Sequence, residues 1–170
     1  LGINVWEAID AAATKPFGFM KFTPGPGVGG HCLPIDPSYL SWQVKRSLGR
    51  TFRFVELAND INEHMPNYVT TRLMTALNRK SLAVNGARVL LLGLTYKANT
   101  SDARESPAIA VAELLLEMGA DLRAADPHIS EAYRLNPGIT LVELTDDEVR
   151  NADAVVLLTD HASFDLDHIA

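Results

Sequence analysis

The sequence predicts an α/β protein in which an all-helical half is followed by a half built on a parallel sheet. Residues 1–84 carry apolar side chains at helical spacing. Residues 85–170 open with the continuous apolar run Arg88–Leu92, which is typical of a strand buried on both faces of a parallel sheet. Strand-like and helix-like segments then alternate, as they do in βαβ units. We therefore predict two domains that meet between residues 84 and 85.

The first half contains three helical regions. Apolar side chains recur on one face of residues 3–13, before Lys15 and Pro16 end that helix. A second apolar stripe predicts a helix that ends at Gly49, because glycine is the common residue after a helix. The third region covers residues 54–82. Its apolar side consists of Leu57, Ile61, Met65, Tyr68 or Val69, Leu73 and Leu77.

Pro66 interrupts the third region. Proline removes the backbone hydrogen bond to the carbonyl of Asn62, so residues 54–82 form either one kinked helix or two helices joined end to end. The apolar side packs either in the core of this chain or against a second copy of it. Periodicity alone leaves both possibilities open.

The second half begins after the turn signal Asn85-Gly86 and reads as a Rossmann-like alternation. Right-handed crossovers would bring the loops at the carboxyl ends of its strands to one edge of the sheet, where α/β proteins bind ligands. After the first strand, the predicted elements are a helix over 107–118 closed by Gly119, a strand over 121–125, a strand over 140–142, a helix over 146–151 and a strand over 154–159.

Composition excludes several classes of function. The 170 residues are 47% hydrophobic and carry a net charge of −6, with no Lys/Arg cluster, which argues against non-specific binding to nucleic acid or to an anionic membrane. The single cysteine excludes an internal disulfide. No apolar run approaches about 18 residues, so we predict neither a spanning segment nor a secretory signal, and we expect a cytoplasmic protein.

Residues 23–37, TPGPGVGGHCLPIDP, crowd four glycines and four prolines around the only cysteine. This composition predicts an irregular loop that can wrap a ligand. Asp36 suits the N-cap of the next helix and Pro37 its first position, so Cys32 lies just ahead of a helix N-terminus, where a thiolate is favoured. A lone cysteine is also often a small buried residue. Together, His31, Cys32 and Asp36 fall short of a zinc pattern, so we predict no metal site.

Residues 93–107, GLTYKANTSDARESP, form a second informative loop. Ser106 can cap a helix that starts at Pro107, and the backbone donors of that helix start, with Lys97 and Arg104, offer a phosphate site. The alternative is a solvated loop with two cations. The strand-end segments Asp126-Pro127-His128 and Thr159-Asp160-His161 are interpreted as turns, although an acidic residue at a strand end could contact a ribose.

The two loops resemble two motifs of the UDP-glucose/GDP-mannose dehydrogenase family. GPGVGGHC followed by Asp36 is similar to the active-site loop of that family, and GLTYKANTSDARESP is similar to its GxxYKxxTxDxRESP motif. These enzymes use NAD twice to oxidise the C6 hydroxymethyl of a nucleotide sugar to a carboxylate. The resemblance implies that Cys32 carries the intermediate as a thiohemiacetal and then as a thioester, and that Asp36 handles water and protons during hydrolysis.

The resemblance also implies the residues that bind substrate and cofactor. The GPGVGGHC form is similar to loops that act on UDP-N-acetylhexosamines, which makes His31 a marker of specificity. Arg104 resembles the arginine that reaches the NAD pyrophosphate. The implied contacts to the UDP-sugar come from both loops: Gly25, Gly27, Val28, Gly29, Gly30, His31, Tyr96 and Lys97.

In this family the long central helix forms the dimer core, which implies a homodimer through residues 54–82. Family members also begin with a Rossmann NAD-binding domain that is not present here, and they continue beyond residue 170. The resemblance therefore implies that the chain is the middle and later part of an oxidoreductase that acts on a UDP-N-acetylhexosamine or on UDP-glucose. The alternative is a nucleotide-sugar-binding and dimerisation module without turnover of its own.

Overall fold

The computed structural model describes residues 2–129 and 133–169 of the chain. Four helices come first, and a parallel sheet with further helices follows. The helices are α1 (Val5–Ala13), α2 (Asp36–Leu48), α3 (Arg53–Glu63), α4 (Met65–Arg79), α5 (Pro107–Glu117), α6 (Asp146–Arg150) and α7 (Leu166–Ile169). The strands are β1 (Arg88–Leu92), β2 (Asp121–Ala125), β3 (Ile139–Leu141) and β4 (Ala154–Leu157).

The four strands pair in the order β3-β2-β1-β4, and all pairs are parallel. The chain moves from β1 outward to β2 and β3, and then returns through α6 to place β4 on the other side of β1. The direction of winding therefore changes between β1 and β4. In open α/β sheets, such a change leaves a crevice at the carboxyl ends of the two strands, and ligands bind there. The α/β fold class predicted from the sequence is confirmed.

Helices cover both faces of the sheet. On one face Leu77 of α4 and Leu115 of α5 pack with Val89 and Leu91 of β1 in the main core. On the other face, Leu90 and Leu92 are covered by side chains from the α6 and α7 region, namely Val149, Phe164 and Ile169. The four apolar residues of β1 are at most 1% exposed, as the continuous apolar run predicted.

The region around Pro66 forms two helices and not one kinked helix. His64 separates α3 from α4, and Pro66 lies in the first turn of α4, where its missing N–H costs nothing. Gly49 ends α2 with a φ of 62°, as predicted. Asp36 is the first residue of α2 and not its N-cap, because Ile35 occupies the cap position without a side-chain hydrogen bond. Asp36 therefore contributes an acidic side chain to the first turn of the helix.

The apolar side predicted for residues 54–82 is divided between two environments. Leu73 and Leu77 are buried in the main core of this chain, so they cannot face a second copy. Leu57 and Ile61 of α3 are 58% and 55% exposed. The exposed part of the predicted side therefore consists of these two residues of α3 and of Tyr68 of α4, which is 54% exposed. The domain boundary near residue 84 stays a prediction, although α4 shares a core with the sheet.

Within the part of the chain that the structure describes, no helix is long and apolar enough to cross a membrane.

A charge cluster joins α6 to β1 and β2. Arg123 donates to Glu148 from Nε and from Nη2, at 2.6 Å in both cases, and Arg88 Nη2 donates to the same carboxylate at 3.0 Å. The hydrogen bonds from Arg123 and then Arg88 lower the pKa of Glu148 from its ordinary 4.5 to about 2. A carboxyl group whose pKa is lowered by folding stabilises the fold above its unfolded pKa, and this contribution disappears as the pH falls through the folded value.

We predict that Glu148→Gln lowers the free energy of unfolding at about pH 7, and that the difference from the wild type shrinks as the pH falls towards about 2. Urea unfolding at several pH values measures both effects. Asp147→Asn on the same helix is the control, because Asp147 is 87% exposed and lies 3.6 Å from Arg150 Nη1. A difference for Glu148→Gln that does not change with pH would contradict the assigned pKa.

Candidate active site

The glycine-rich loop, which consists of residues 23–37, lies directly against the loop that follows β1. A Cβ added to Gly29 would lie 2.7 Å from Tyr96 Cβ and 2.7 Å from Pro107 Cδ, so only glycine permits this approach. Gly30 has a φ of 89°, and its added Cβ would lie 2.9 Å from the Tyr96 ring. A Cβ added to Gly27 would lie 3.1 Å from Pro107 Cβ. The structure therefore brings together the two loops that the sequence singled out.

Cys32 is exposed at the end of this loop, which excludes the interpretation as a small buried core residue. Its carbonyl accepts hydrogen bonds from the backbone N–H of Ile35 at 3.1 Å and of Asp36 at 2.9 Å. This turn leads into α2, and Cys32 and Asp36 are its first and last residues. Both Asp36 and His31 are exposed. The sulfur and the carboxylate are thus accessible to a ligand from solvent.

The loop after β1 presents two cations. Lys97 is exposed, while its backbone carbonyl accepts from the hydroxyls of Thr95 at 3.2 Å and Thr100 at 2.9 Å. Arg104 is also exposed and donates to Asp102 from Nε at 2.9 Å and from Nη2 at 2.6 Å. The hydrogen bond from Arg104 lowers the pKa of Asp102 to about 2, with a small further lowering from His31.

The start of α5 is formed as predicted but is partly covered. The Ser106 side chain caps the helix by accepting from the Ala108 N–H at 3.3 Å. Pro107 is the first residue of the helix and contacts Gly27 and Gly29. Because the glycine-rich loop packs on the helix start, Lys97 and Arg104 are better placed than the α5 backbone donors to meet an anion.

Two strand-end side chains that the sequence analysis interpreted as parts of turns are buried in the structure. The side chains of Asp126, after β2, and His161, after β4, are fully buried. Asp126 Oδ2 and His161 Nε2 lie 3.2 Å apart. Both hydrogen-bond to the loop after β1. Their positions after β2 and β4, the two strands that flank β1, could have indicated them, because the carboxyl ends of parallel strands share one edge of the sheet. Their burial depends on tertiary packing, which no local pattern reveals.

An apolar cavity of about 710 Å³ lies beside the glycine-rich loop. Val28 and Leu33 line it together with residues of α3 and α5 and with Tyr133. The remaining lining residues are Pro34, Pro37, Pro66, Ala103, Glu105 and Ser106. Cys32, Tyr96 and Lys97 do not line this cavity. The cavity therefore lies between the glycine-rich loop, α3 and α5. Val28 of the predicted substrate site lines it, whereas the predicted nucleophile Cys32 does not. In residues 2–129 and 133–169, no group of three or more His, Cys, Asp or Glu side chains is arranged to hold a metal ion.

Two models of one protein family match the chain. The model of the central domain of the UDP-glucose/GDP-mannose dehydrogenase family matches residues 1–64. The model of the UDP binding domain of the same family matches residues 90–169. The two domains occur in the order that the two sequence motifs predicted.

The chain is similar to curated and solved nucleotide-sugar dehydrogenases. The UDP-N-acetyl-D-mannosamine dehydrogenase of Methanococcus maripaludis is 38% identical over 96% of this chain and 35% of the relative. The solved UDP-D-ManNAc dehydrogenase from Pyrococcus horikoshii superposes with a TM-score of 0.79 at 34% identity, over 99% of this chain and 38% of that one. For the NDP-N-acetyl-D-galactosaminuronic acid dehydrogenase from Methanosarcina mazei, the TM-score is 0.83 at 31% identity, over 99% of this chain and 37% of that one. This chain spans about a third of the length of these relatives.

We predict that Gly29→Ala lowers the free energy of unfolding by about 1–3 kcal/mol, because the added methyl group forces the two loops apart. Urea unfolding measures the change. Gly25→Ala is the matched control, since a Cβ at Gly25 meets nothing within 4 Å. Equal stabilities for the two variants would contradict the close contact between the loops.

Proposed function

This chain belongs to the UDP-glucose/GDP-mannose dehydrogenase family, and we propose that it supplies the nucleophile and part of the substrate site of an NAD-dependent nucleotide-sugar 6-dehydrogenase. The observation that carries the proposal is the packing of the loop that holds Cys32 on the loop that holds Tyr96 and Lys97. In the proposal, the nucleophile Cys32 and the anion-binding cation Lys97 belong to the two loops that this contact joins. The reaction is the oxidation of the C6 hydroxymethyl of a UDP-sugar to a carboxylate.

The proposed substrate is a UDP-N-acetylhexosamine, with UDP-glucose as the wider possibility. The similar proteins named above act on N-acetylated hexosamine nucleotides according to their names, which supports this choice. With a net charge of −6, the protein must hold a diphosphate by local cations. Lys97 is exposed for that contact, and Tyr96 beside it supplies a ring for the sugar or the base.

Cys32 acts in our proposal as a nucleophile that joins two oxidations. The C6 alcohol loses a hydride and a proton and becomes an aldehyde. The sulfur adds to the aldehyde carbon and the oxygen takes a proton, which gives a thiohemiacetal. Loss of a second hydride and of that proton gives a thioester. Water then adds to the carbonyl carbon and the C–S bond breaks. The thiolate of Cys32 is the leaving group, and C6 becomes a carboxylate.

Asp36 is the group that we propose to guide the water in the last step. Its backbone N–H donates to the Cys32 carbonyl, so Asp36 lies one hydrogen-bonded turn after Cys32 along the chain. An exposed carboxylate in this position can accept a proton from the attacking water. The glycine-rich loop and His31 would surround the sugar.

Arg104 is the residue of this chain that fits NAD. Its guanidinium is exposed and planar, and it can contact a pyrophosphate with two hydrogen bonds while Asp102 orients it. When bound, NAD accepts a hydride in each of the two oxidations. The cytoplasmic location expected from the sequence is part of the same proposal.

We propose that the exposed apolar face of α3, which consists of Phe54, Leu57 and Ile61, contacts a second copy of the chain. These three side chains are 79%, 58% and 55% exposed. Covering them would contribute about 25 cal/mol for each Å² removed from water. The same contact would serve the second candidate function, a nucleotide-sugar-binding and dimerisation module without turnover. The observation that favours a module of this kind is the extensive exposed apolar surface of α1 to α3, which favours association.

We predict that in the complete enzyme Cys32→Ser reduces carboxylate formation by about 10³-fold or more, because an alkoxide leaves far more slowly than a thiolate. Release of uronic acid measures the rate, and mass spectrometry detects a trapped covalent adduct. Ser47→Ala, at an exposed position of α2, is the control and should keep the wild-type rate. Unchanged release by the Cys32→Ser variant would overturn the role of Cys32.

We also predict that the 170-residue chain alone forms a dimer, binds UDP-sugar weakly and reduces no NAD. Hydride transfer needs C6 held against the nicotinamide, and such positioning supplies on the order of 10 kcal/mol of barrier lowering, which Cys32 and Asp36 cannot replace. Light scattering and absorbance of NADH, with NAD and several UDP-hexosamines, measure these properties.

Two variants sharpen the dimer measurement. Leu57→Glu should give monomers, because it places a charge in the α3 face. Met118→Glu changes an exposed apolar residue at the end of α5 and should leave the dimer intact. A wild-type monomer would contradict the α3 interface, and measurable NADH would favour the active enzyme over the module without turnover.

A further inference from the structure

His161 is a fully buried histidine that the proposed chemistry does not use. It follows β4 at the carboxyl edge of the sheet, and its side chain is 0% exposed. Its ring lies between the ring of His128, with centroids 4.7 Å apart, and the ring of Phe164, at 5.4 Å. A titratable side chain in such a position needs its polar atoms satisfied.

Both nitrogens of the His161 ring have partners. Nδ1 lies 3.0 Å from the backbone nitrogen of Asn99, which can only donate. Nδ1 is therefore the acceptor and the ring proton is on Nε2. Nε2 lies 3.2 Å from Asp126 Oδ2 and 3.2 Å from Thr95 Oγ1. The hydrogen bonds thus fit a neutral Nε2–H imidazole.

Asp126 joins the same group from the end of β2. Its Oδ2 accepts from the backbone N–H of Leu94 at 2.6 Å and of Thr95 at 3.1 Å, and its Oδ1 accepts from the N–H of His128 at 2.8 Å. Burial opposes the charged carboxylate, but the hydrogen bonds from Leu94, His128 and Thr95 outweigh it and lower the pKa of Asp126. A charged acceptor therefore fixes the first residues of the loop after β1.

The loop segment of residues 95–99 is held at both ends by these contacts and by the chain after β4. Thr159 donates its hydroxyl to the Thr95 carbonyl at 2.6 Å, and the Ala162 N–H donates to the Asn99 side chain at 3.0 Å. Asn99 has a φ of 59°, which is unfavourable unless its surroundings support it. Lys97 lies between the two fixed ends. Its carbonyl accepts from the Thr95 and Thr100 hydroxyls, and the residue is exposed to solvent.

We propose that His161 is a positioning residue, which holds residues 95–99 so that Lys97 meets the diphosphate of the nucleotide sugar. This inference rests on the proposed function, because Lys97 is the assigned anion contact. A lysine on a fixed backbone loses less conformational freedom on binding than one on a mobile loop, so the anchor increases affinity without touching the ligand. Asp126 supports His161 by accepting from its Nε2–H.

Three substitutions separate the two hydrogen bonds of the ring. His161→Asn keeps an acceptor near the position of Nδ1 and loses the donor to Asp126. His161→Gln keeps a donor near the position of Nε2 and loses the acceptor for Asn99. His161→Phe keeps the aromatic volume and loses both. His168→Phe removes an exposed histidine elsewhere and is the control.

The first measurement is amide hydrogen exchange of the 170-residue chain without ligand. We expect the Asn99 amide to exchange slowly in the wild type and in His161→Asn, and faster by about tenfold or more in His161→Gln and His161→Phe. Amides of β1 report whether each variant is folded. An Asn99 amide that is equally protected in all four proteins would overturn the anchor.

The second measurement is a titration with UDP followed by NMR, which detects weak binding. We expect the dissociation constant to rise about tenfold in His161→Phe and to stay closer to the wild type in His161→Asn. In a Lys97→Ala background, His161→Phe should change it less than about twofold, because the two residues act on one contact. His168→Phe should bind like the wild type.

The outcomes distinguish this inference from the proposed function. Faster Asn99 exchange with an unchanged UDP affinity would overturn the role of His161 in binding. Additive effects of His161→Phe and Lys97→Ala would show that His161 does not act through Lys97. If UDP fails to bind the wild-type chain, the assigned ligand is contradicted, while the exchange comparison still decides whether His161 positions the loop.

Discussion

Burial of β1 on both faces is the constraint on which the rest of this structure depends. Val89 to Leu92 are at most 1% exposed, so the strand must be covered by α4 and α5 on one side and by α6 and α7 on the other. Hydrogen bonds to β2 and β4 occupy its two edges. The carboxyl end of β1 is consequently a fixed point at the place where the winding of the sheet reverses. The loop that carries Tyr96 and Lys97 starts from that point.

The sequence allowed the sheet half to be predicted with little error, because its signals are local. The bounds of β1 and β2 agree with the predicted ones, and Ser106 caps α5 as expected. The contact of the two loops could be anticipated from the family resemblance. The reason that Gly29 must be glycine could not be anticipated, because the atoms that an added Cβ would meet belong to Tyr96 and Pro107, which are distant in the sequence.

Other features could not be predicted because they also depend on contacts between residues that are distant in the sequence. Helical periodicity marks an apolar side but does not say what covers it, so Leu57 and Leu77 were placed on one surface although one is exposed and the other is buried. Asp126 and His161 have polar side chains at strand ends, which is the usual composition of turns. Only the packed sheet reveals that they are buried and that they bind each other. The short helix α7 gave no recognisable pattern.

The packing of Gly29 and Gly30 on Tyr96 also has a consequence for motion. Tyr96 belongs to a segment that is tied to the ends of β2 and β4, so the glycine-rich loop rests on a part of the sheet domain that does not move by itself. The glycine-rich loop and the loop after β1 are therefore joined in one packed unit, while the exposed side chains of Cys32 and Lys97 keep their own freedom. A hinge movement of this unit against another body would carry both loops together. Such a movement would change which parts of their surface meet solvent without separating the two loops.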